Sequence, residues 1–280
     1  MLALLRPSAT VTMVTMESAE LIRVALGQVD MLRIQRLGNP ALSHSVLLVK
    51  QFQASRFANT YADLLAEESP GSAGYTQRNA ALFFMTELYA ATDFTRRDAQ
   101  FSRVAGTLQK VFPKPVVATA MALAQLHILS EQLDHGMGEI WSKAAAEGGP
   151  LAETPIALGE LAESYVEAWR MLGNFEARAQ QLRIALQVGR DLDRLTRLPG
   201  LRLMLKMMRR PAHVAGMADL QQFLENGFDT FGAMAKQGDQ AKSFLRTIEI
   251  RETKLMQALD SGPVDQVCGL MGLTVPQPRA

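Results

Sequence analysis

The fold class of this chain is decided by residues 116–146, which read VVATAMALAQLHILSEQLDHGMGEIWSKAAA. Apolar residues recur in this stretch at the three-to-four-residue spacing of a helix face. The run stops at residues 148–150, Gly-Gly-Pro, a sequence that ends helices. No part of the chain shows the sustained alternation of apolar and polar residues that is typical of a strand. We therefore predict an all-α fold.

The same periodicity extends in both directions, and glycine and proline divide it into a multi-helix bundle of about nine or ten helices. The predicted helices span 18–37, 45–67, 75–91, 93–112, 116–146, 154–172, 175–197, 200–210, 217–235 and 240–260. A bend is predicted at 211–216, where Pro211 follows a basic segment.

The predicted domain organisation is one helical domain over residues 17–260, with a boundary between two lobes at 147–154. Residues 1–16 are predicted to form a loose leader, since Arg6 and Pro7 interrupt any apolar run of signal-peptide length. Residues 261–280 contain three prolines and are predicted to form a flexible tail.

Composition excludes several classes of protein. The hydrophobic fraction of 48% and the charged fraction of 20% are those of a globular chain rather than a disordered one. A net charge of +1 provides no global field for nucleic acid. Cys268 is the single cysteine, so no disulfide framework can form within the chain. No run reaches the roughly 18 apolar residues of a membrane span, and we expect a cytoplasmic protein.

Residues 83–89 read FFMTELY, and Asp93-Phe94 and Arg97-Asp98 follow them. This pattern resembles a family of uncharacterised bacterial proteins that takes its name from the motif FFLEELY. Met85 and Thr86 stand where that motif has Leu and the first Glu, and Glu87 matches its second Glu. The resemblance extends through 56–65 and 165–234, so that it covers most of the chain. It implies a bacterial, all-helical protein and assigns no catalytic residue.

His127, Glu131 and His135 are spaced four residues apart and share one face of a predicted helix. Two imidazoles and a carboxylate can ligate zinc or iron. However, a helical di-metal site needs two Glu-x-x-His motifs, and the chain contains none. We interpret the three residues as a polar stripe, with a metal site as the weaker alternative, and we expect no cofactor.

Glu87 lies within an aromatic segment, which predicts partial burial of its carboxylate. Arg56, Arg96 and Arg97 are its candidate partners. A structural ion pair with one of them, such as Arg56 or Arg97, is the favoured interpretation, and a general acid or base is the alternative.

The strongest charge asymmetry lies between Arg178 and Arg210, where nine basic residues face two acidic ones. Within it, residues 201–210 combine a narrow cationic stripe with a broad apolar face. This pattern is typical of a core helix with one solvent-exposed edge, of a membrane-surface helix, or of one wall of a pocket for an anionic amphiphile. The bend that follows adds free backbone N–H groups and His213. The candidate anion-binding residues are Arg202, Lys206, Arg209, Arg210 and His213.

No catalytic-nucleophile motif or phosphate-binding glycine loop is present in the sequence. The favoured prediction is therefore a non-enzymatic helical protein that binds a partner protein or an anionic amphipathic ligand. Nucleic acid is not expected as a partner. The alternative is a helical enzyme with a metal or acid–base site around Glu87, His127, Glu131 and His135.

Overall fold

The computed structural model describes residues 17–147 and 158–273, most of which lie in thirteen α-helices. The helices are α1 (Ser18–Leu37), α2 (Pro40–Thr60), α3 (Ala62–Leu65), α4 (Ala73–Glu87), α5 (Thr95–Val111), α6 (Lys114–Ala146), α7 (Leu158–Leu172), α8 (Phe175–Thr196), α9 (Leu201–Met207), α10 (Arg209–Val214), α11 (Ala218–Ala235), α12 (Gln240–Ser261) and α13 (Val264–Leu270). No strand occurs in these two ranges, which confirms the all-α class. The predicted count of nine or ten helices is too low, because α3, α10 and α13 are short helices that the periodicity does not separate or predict.

Local capping explains the start of two helices. The Asn39 side chain accepts a hydrogen bond from Leu42 N at 3.1 Å, and Pro40 occupies the first helical position, where its missing N–H costs nothing. Helix α2 therefore begins five residues before its predicted start. The Ser72 side chain caps α4 in the same way, accepting from Tyr75 N at 3.0 Å.

The basic segment forms two short helices rather than a helix and a bend. The predicted helix 200–210 ends at Met207, and α10 then contains Pro211 in its first turn, where proline is tolerated. Hydrogen bonds from Met208 N to Met204 O (3.1 Å) and from Ala212 N to Met208 O (2.8 Å) continue the helical pattern across the junction. The predicted bend at 211–216 is thus wrong over most of its length.

The predicted flexible tail also needs correction. Residues 264–270 form α13, and Val267, Cys268 and Met271 are buried in a core cluster with α2, α6, α7 and α12. Residues 274–280, the predicted leader 1–16 and residues 148–154 of the predicted lobe boundary lie outside the described residues. Core clusters contain residues from both sides of that boundary.

Helix α6 lies at the centre of the packing, where it contacts α1, α2, α5, α7 and α8. By length and composition alone it could cross a membrane, and it is the one helix of the described residues that passes that test. However, it carries the buried ionisable residues Glu131, Asp134 and His135, and Glu131 pairs with cations of α1 and α2. These are the features of a core helix in a soluble protein.

Gly138 allows α2 and α6 to pack closely. A Cβ atom at this position would lie 2.3 Å from Val46 Cγ2 and 3.0 Å from Val46 N. We expect Gly138→Ala to force the two helices apart and to destabilise the fold by about 1–3 kcal/mol, despite the better helix propensity of alanine.

Chemical unfolding of Gly138→Ala beside Gly27→Ala checks this expectation. Gly27 is also helical, and nothing lies within 4 Å of a Cβ placed there. Gly27→Ala should therefore stabilise the protein by up to about 1 kcal/mol. Equal stabilisation by both substitutions would show that the close approach of Gly138 to Val46 does not affect the unfolding free energy.

Candidate ligand-binding cavity

A cavity lies at the junction of α1, α2, α5, α6, α7, α8, α11 and α12, and it is also bordered by the last residue of α4 and the segment that follows it. Its volume is about 120 Å³. One water needs about 10–15 Å³ of cavity volume, so the cavity has room for roughly ten waters or a small organic molecule. Its wall mixes aromatic and aliphatic side chains with charged ones.

Two helices present polar residues to the cavity at helical spacing. On α2, Lys50, Gln53 and Arg56 are three residues apart and therefore share a face. On α6, the polar lining residues are His127, Ser130, Glu131 and Asp134, which share a face because 127, 130–131 and 134 are about one turn apart. Helical spacing therefore directs the polar groups of both helices to the cavity.

Glu131 binds two cations. Its Oε2 accepts from Arg36 Nη2 at 2.6 Å, and its Oε1 accepts from Lys50 Nζ. Burial alone would raise the pKa of this carboxyl, but the charges of Lys50 and Arg36 outweigh burial and lower the pKa to about 2. Glu131 is therefore a structural carboxylate that ties α1 and α2 to α6.

Glu252 of α12 forms a second buried ion pair. Its Oε1 accepts from Arg56 Nη1 at 2.6 Å and from the Tyr61 hydroxyl at 3.0 Å. Burial alone would lower the pKa of Arg56, but the charge of Glu252 more than offsets burial and raises it. The pair joins α2 to α12 at the cavity wall.

Glu87 and Arg97 form a third pair, in which Arg97 Nη1 donates to Glu87 Oε2 at 2.8 Å. The Arg97 guanidinium also stacks on the rings of Phe94 and Phe223, 3.7 Å and 4.6 Å from their centroids. Burial raises the pKa of Glu87, and Arg97 offsets only part of that effect.

Asp98 holds two basic groups at the same end of the cavity. Its Oδ2 lies 2.5 Å from Arg33 Nη2 and 2.7 Å from His127 Nε2. Burial alone would raise the pKa of Asp98, but the hydrogen bond and charge of His127 and those of Arg33 outweigh it, and the pKa is lowered.

Arg178 differs from these cations because it forms no ion pair with a carboxylate of the described residues. The residue is only 4% exposed, and its Nε and Nη2 atoms have no hydrogen-bond partner in the described part of the chain. Its guanidinium stacks on the Trp169 ring, 3.7 Å from the centroid. Burial lowers the pKa of Arg178, as expected of a cation removed from water without a counter-charge at contact.

Tyr165 and Asp134 both act to raise the pKa of Arg178, but the Asp134 carboxylate is hydrogen-bonded elsewhere. Its Oδ1 accepts from Gln53 Nε2 at 3.0 Å, and no ion pair joins it to Arg178. Burial raises the pKa of Asp134 above the ordinary aspartate value, which weakens it as a counter-ion. Beside them, Gln181 donates to Ser130 Oγ at 2.8 Å, so that neutral polar groups adjoin the cation.

Glu87, Arg56 and Arg97, the predicted ion-pair residues, all line this cavity, and one of the candidate pairings of Glu87 occurs. Glu87 binds Arg97, whereas Arg56 binds Glu252.

Of the polar stripe on α6, His127 and Glu131 line the cavity, while His135 lies 3.7 Å from Glu139 and outside the lining. No group of three metal-ligating side chains suited to a metal ion occurs in the described ranges. An acid–base role for Glu87 stays a prediction.

The predicted anion-binding residues lie outside the cavity lining, on the exposed side of α9 and α10. Arg202 pairs with Asp229 at 2.9 Å, and Arg209 pairs with Glu225. Lys206, Arg210 and His213 are exposed. The exposed basic surface of α9 and α10 is therefore separate from Arg178, the buried cation at the other end of the basic segment 178–210.

Sequence reasoning missed Lys50, Tyr165 and Glu252 as cavity residues and did not single out Arg178. One local pattern could have indicated that Arg178 is buried. It lies three residues before Gln181 on a helix whose other buried positions are apolar, so that both polar side chains share the inward face. The pairing of the remaining cations has no local signal, since their partners lie far away in the chain.

The fold and cavity define the class: an all-helical protein with an internal, charged cavity. The chain belongs to the family described as Domain of unknown function (DUF8198), which matches residues 33–266 and therefore includes every residue of the cavity wall except Leu26. Comparisons with curated proteins and with solved structures find no match.

Proposed function

We propose that this protein binds a small amphipathic organic anion in its internal cavity, with Arg178 as the counter-charge. The observation that carries the proposal is the buried guanidinium of Arg178, which has two unpartnered donors beside a cavity of about 120 Å³. We also propose that it is a bacterial cytoplasmic protein of the FFLEELY group, as the motif at 83–89 suggests.

An unpaired buried charge is costly, and proteins keep one where a ligand supplies its partner. Each buried donor without an acceptor costs about 1–3 kcal/mol, whereas stacking a desolvated cation on an aromatic ring returns about 2 kcal/mol or more. Because Arg178 has two such donors, stacking on Trp169 offsets only part of the cost of burial, and a bound anion would accept both hydrogen bonds.

The chemistry of the guanidinium favours a carboxylate or a phosphate monoester. Nε and Nη2 lie on one edge of the planar group, and two parallel hydrogen bonds to that edge bind such anions. The neighbouring wall is apolar and includes Leu255, Met256 and Leu259 of α12. A short hydrocarbon body attached to the anionic group matches this wall and the cavity volume.

Thermal shift with hexanoate, benzoate and hexyl phosphate tests the proposal, with hexanamide and hexanol as uncharged controls. We expect the melting temperature to rise with concentration for at least one anion and for neither control. Mass action predicts about 2.7 kcal/mol of added stability at a ligand concentration one hundred times Kd. Stabilisation by the uncharged controls alone would contradict the role of charge.

Arg178→Met separates binding from stability. Removing a buried, unpaired cation should leave the fold unchanged or roughly 1–2 kcal/mol more stable, because the lost stacking on Trp169 is smaller than the relieved desolvation. The same variant should lose the shift produced by the anions. Arg178→Lys keeps a charge but loses the two-donor edge, and we expect an intermediate shift.

A strongly destabilised Arg178→Met would contradict this account, since it would assign Arg178 a purely structural role. An undiminished anion shift in that variant would place the site elsewhere.

A further inference from the structure

Helices α9 and α10 are apolar on two opposite faces. Leu201, Leu205 and Ala212 are buried, and they account for the attachment of the segment to α8 and α11. At about 100° per residue, Leu203, Met207 and Val214 lie on the opposite side, within about 40° of one another. Their exposures are 62%, 65% and 88%, so that packing within the described chain does not explain them.

Basic residues flank this exposed apolar line on one side. Lys206 and Arg210 are exposed and form no ion pair with any residue of the described ranges, and His213 lies beside them. By contrast, Arg202 and Arg209 are neutralised by Asp229 and Glu225. The outward face therefore combines three large apolar side chains with two positive charges that form no ion pair among the described residues, although the charge of Lys206 also reaches Glu225.

We propose that this face, formed by Leu203, Lys206, Met207, Arg210 and Val214, binds the surface of an anionic lipid bilayer. Apolar side chains of an interfacial helix enter the boundary between headgroups and acyl chains, and neighbouring cations bind the anionic headgroups. The inference is independent of the cavity, because none of the five residues lines it.

The chemistry of the face favours a bilayer over a partner's helix. None of Leu203, Met207 and Val214 borders the three cavities described for this chain, so these cavities offer no groove at this face for a partner's anchors. A bilayer is planar and deformable, so that one apolar line with adjacent cations is sufficient.

Co-sedimentation with vesicles tests the proposal directly. We expect the full chain to bind vesicles of one part phosphatidylglycerol to one part phosphatidylcholine, and to bind phosphatidylcholine vesicles at least tenfold more weakly. Leu203→Ser/Met207→Ser and Lys206→Gln/Arg210→Gln should each reduce the partition coefficient on anionic vesicles at least fivefold. Raising salt should weaken binding of the wild type and of the serine variant alike.

Matched control variants exist on other surfaces. Met31 and Ile34 of α1 are exposed to a similar degree, and Arg246 and Lys254 of α12 are exposed cations with no ion pair among the described residues. Met31→Ser/Ile34→Ser and Arg246→Gln/Lys254→Gln should bind vesicles as the wild type does. All four variants should keep the wild-type circular dichroism spectrum.

Absence of wild-type binding to anionic vesicles would overturn the proposal and leave an acidic protein as the occupant of this face. Equal losses in the test and control variants would also overturn it, because they would indicate nonspecific adsorption.

Discussion

Replacing Glu252 by glutamine should cost about 3–5 kcal/mol of unfolding free energy, the largest effect of a single substitution that we expect in this protein. Glutamine has nearly the same shape, so the loss would come from charge. Arg56 would remain buried beside the Tyr61 hydroxyl with no carboxylate to bind. Urea unfolding at neutral pH measures the effect directly.

Two controls isolate the ion pair. Glu249→Gln lies on the same helix but is exposed, and its effect should stay within about 0.5 kcal/mol. The double substitution Arg56→Met/Glu252→Leu removes both charges and should recover most of the stability, since apolar pairs replace buried ion pairs at little cost. A double variant no more stable than Glu252→Gln would show that packing, rather than charge, explains the loss.

Glu131→Gln should cost a comparable 3–5 kcal/mol at neutral pH, because it leaves Arg36 and Lys50 without their shared carboxylate. The ionisation of Glu131 should also make the unfolding free energy depend on pH. The Glu131 pKa is about 2 in the folded protein and 4.5 ordinarily, so the folded state favours the ionised form. Its contribution, about 3 kcal/mol by linkage, is present above pH 4.5 and is lost as the pH falls towards 2.

Unfolding free energies measured between pH 3 and pH 7 therefore distinguish the wild type from Glu131→Gln. The wild type should lose stability steeply below pH 4.5, and the variant should show a shallower slope. Parallel curves would indicate that other carboxylates govern the acid transition. Asp134 and Glu87 act with the opposite sign, since burial raises their pKa and their ionisation opposes folding.

Local patterns in the sequence predict most of this fold. The first helix is predicted at 18–37 and observed at Ser18–Leu37, and the long one is predicted at 116–146 and observed at Lys114–Ala146. Glycine, proline and apolar spacing act within a few residues, which makes such bounds readable. The junction at Met208 and helix α13 escaped because they depend on packing against neighbours distant in the chain.

The cavity was less predictable than the helices, because its ion pairs join residues that are distant in the chain. Arg56 and Glu252 are 196 residues apart, and Arg36 and Glu131 are 95 apart, so that only the tertiary fold selects these partners. The sequence assigned Arg56 and Arg97 equally to Glu87. That two donor atoms of Arg178 have no hydrogen-bond partner among the described residues could not be predicted, because local spacing indicates only that the side chain points inward.

Isothermal titration of hexanoate into the wild type and Arg178→Met at pH 7 tests the central claim most directly. The account predicts one site per chain in the wild type and at least a thirtyfold weaker Kd in the variant, whose fold remains intact by circular dichroism. Equal affinity in the two proteins, or no binding to a wild type that also fails to bind benzoate and hexyl phosphate, would contradict the assignment of Arg178 as the anion-binding residue.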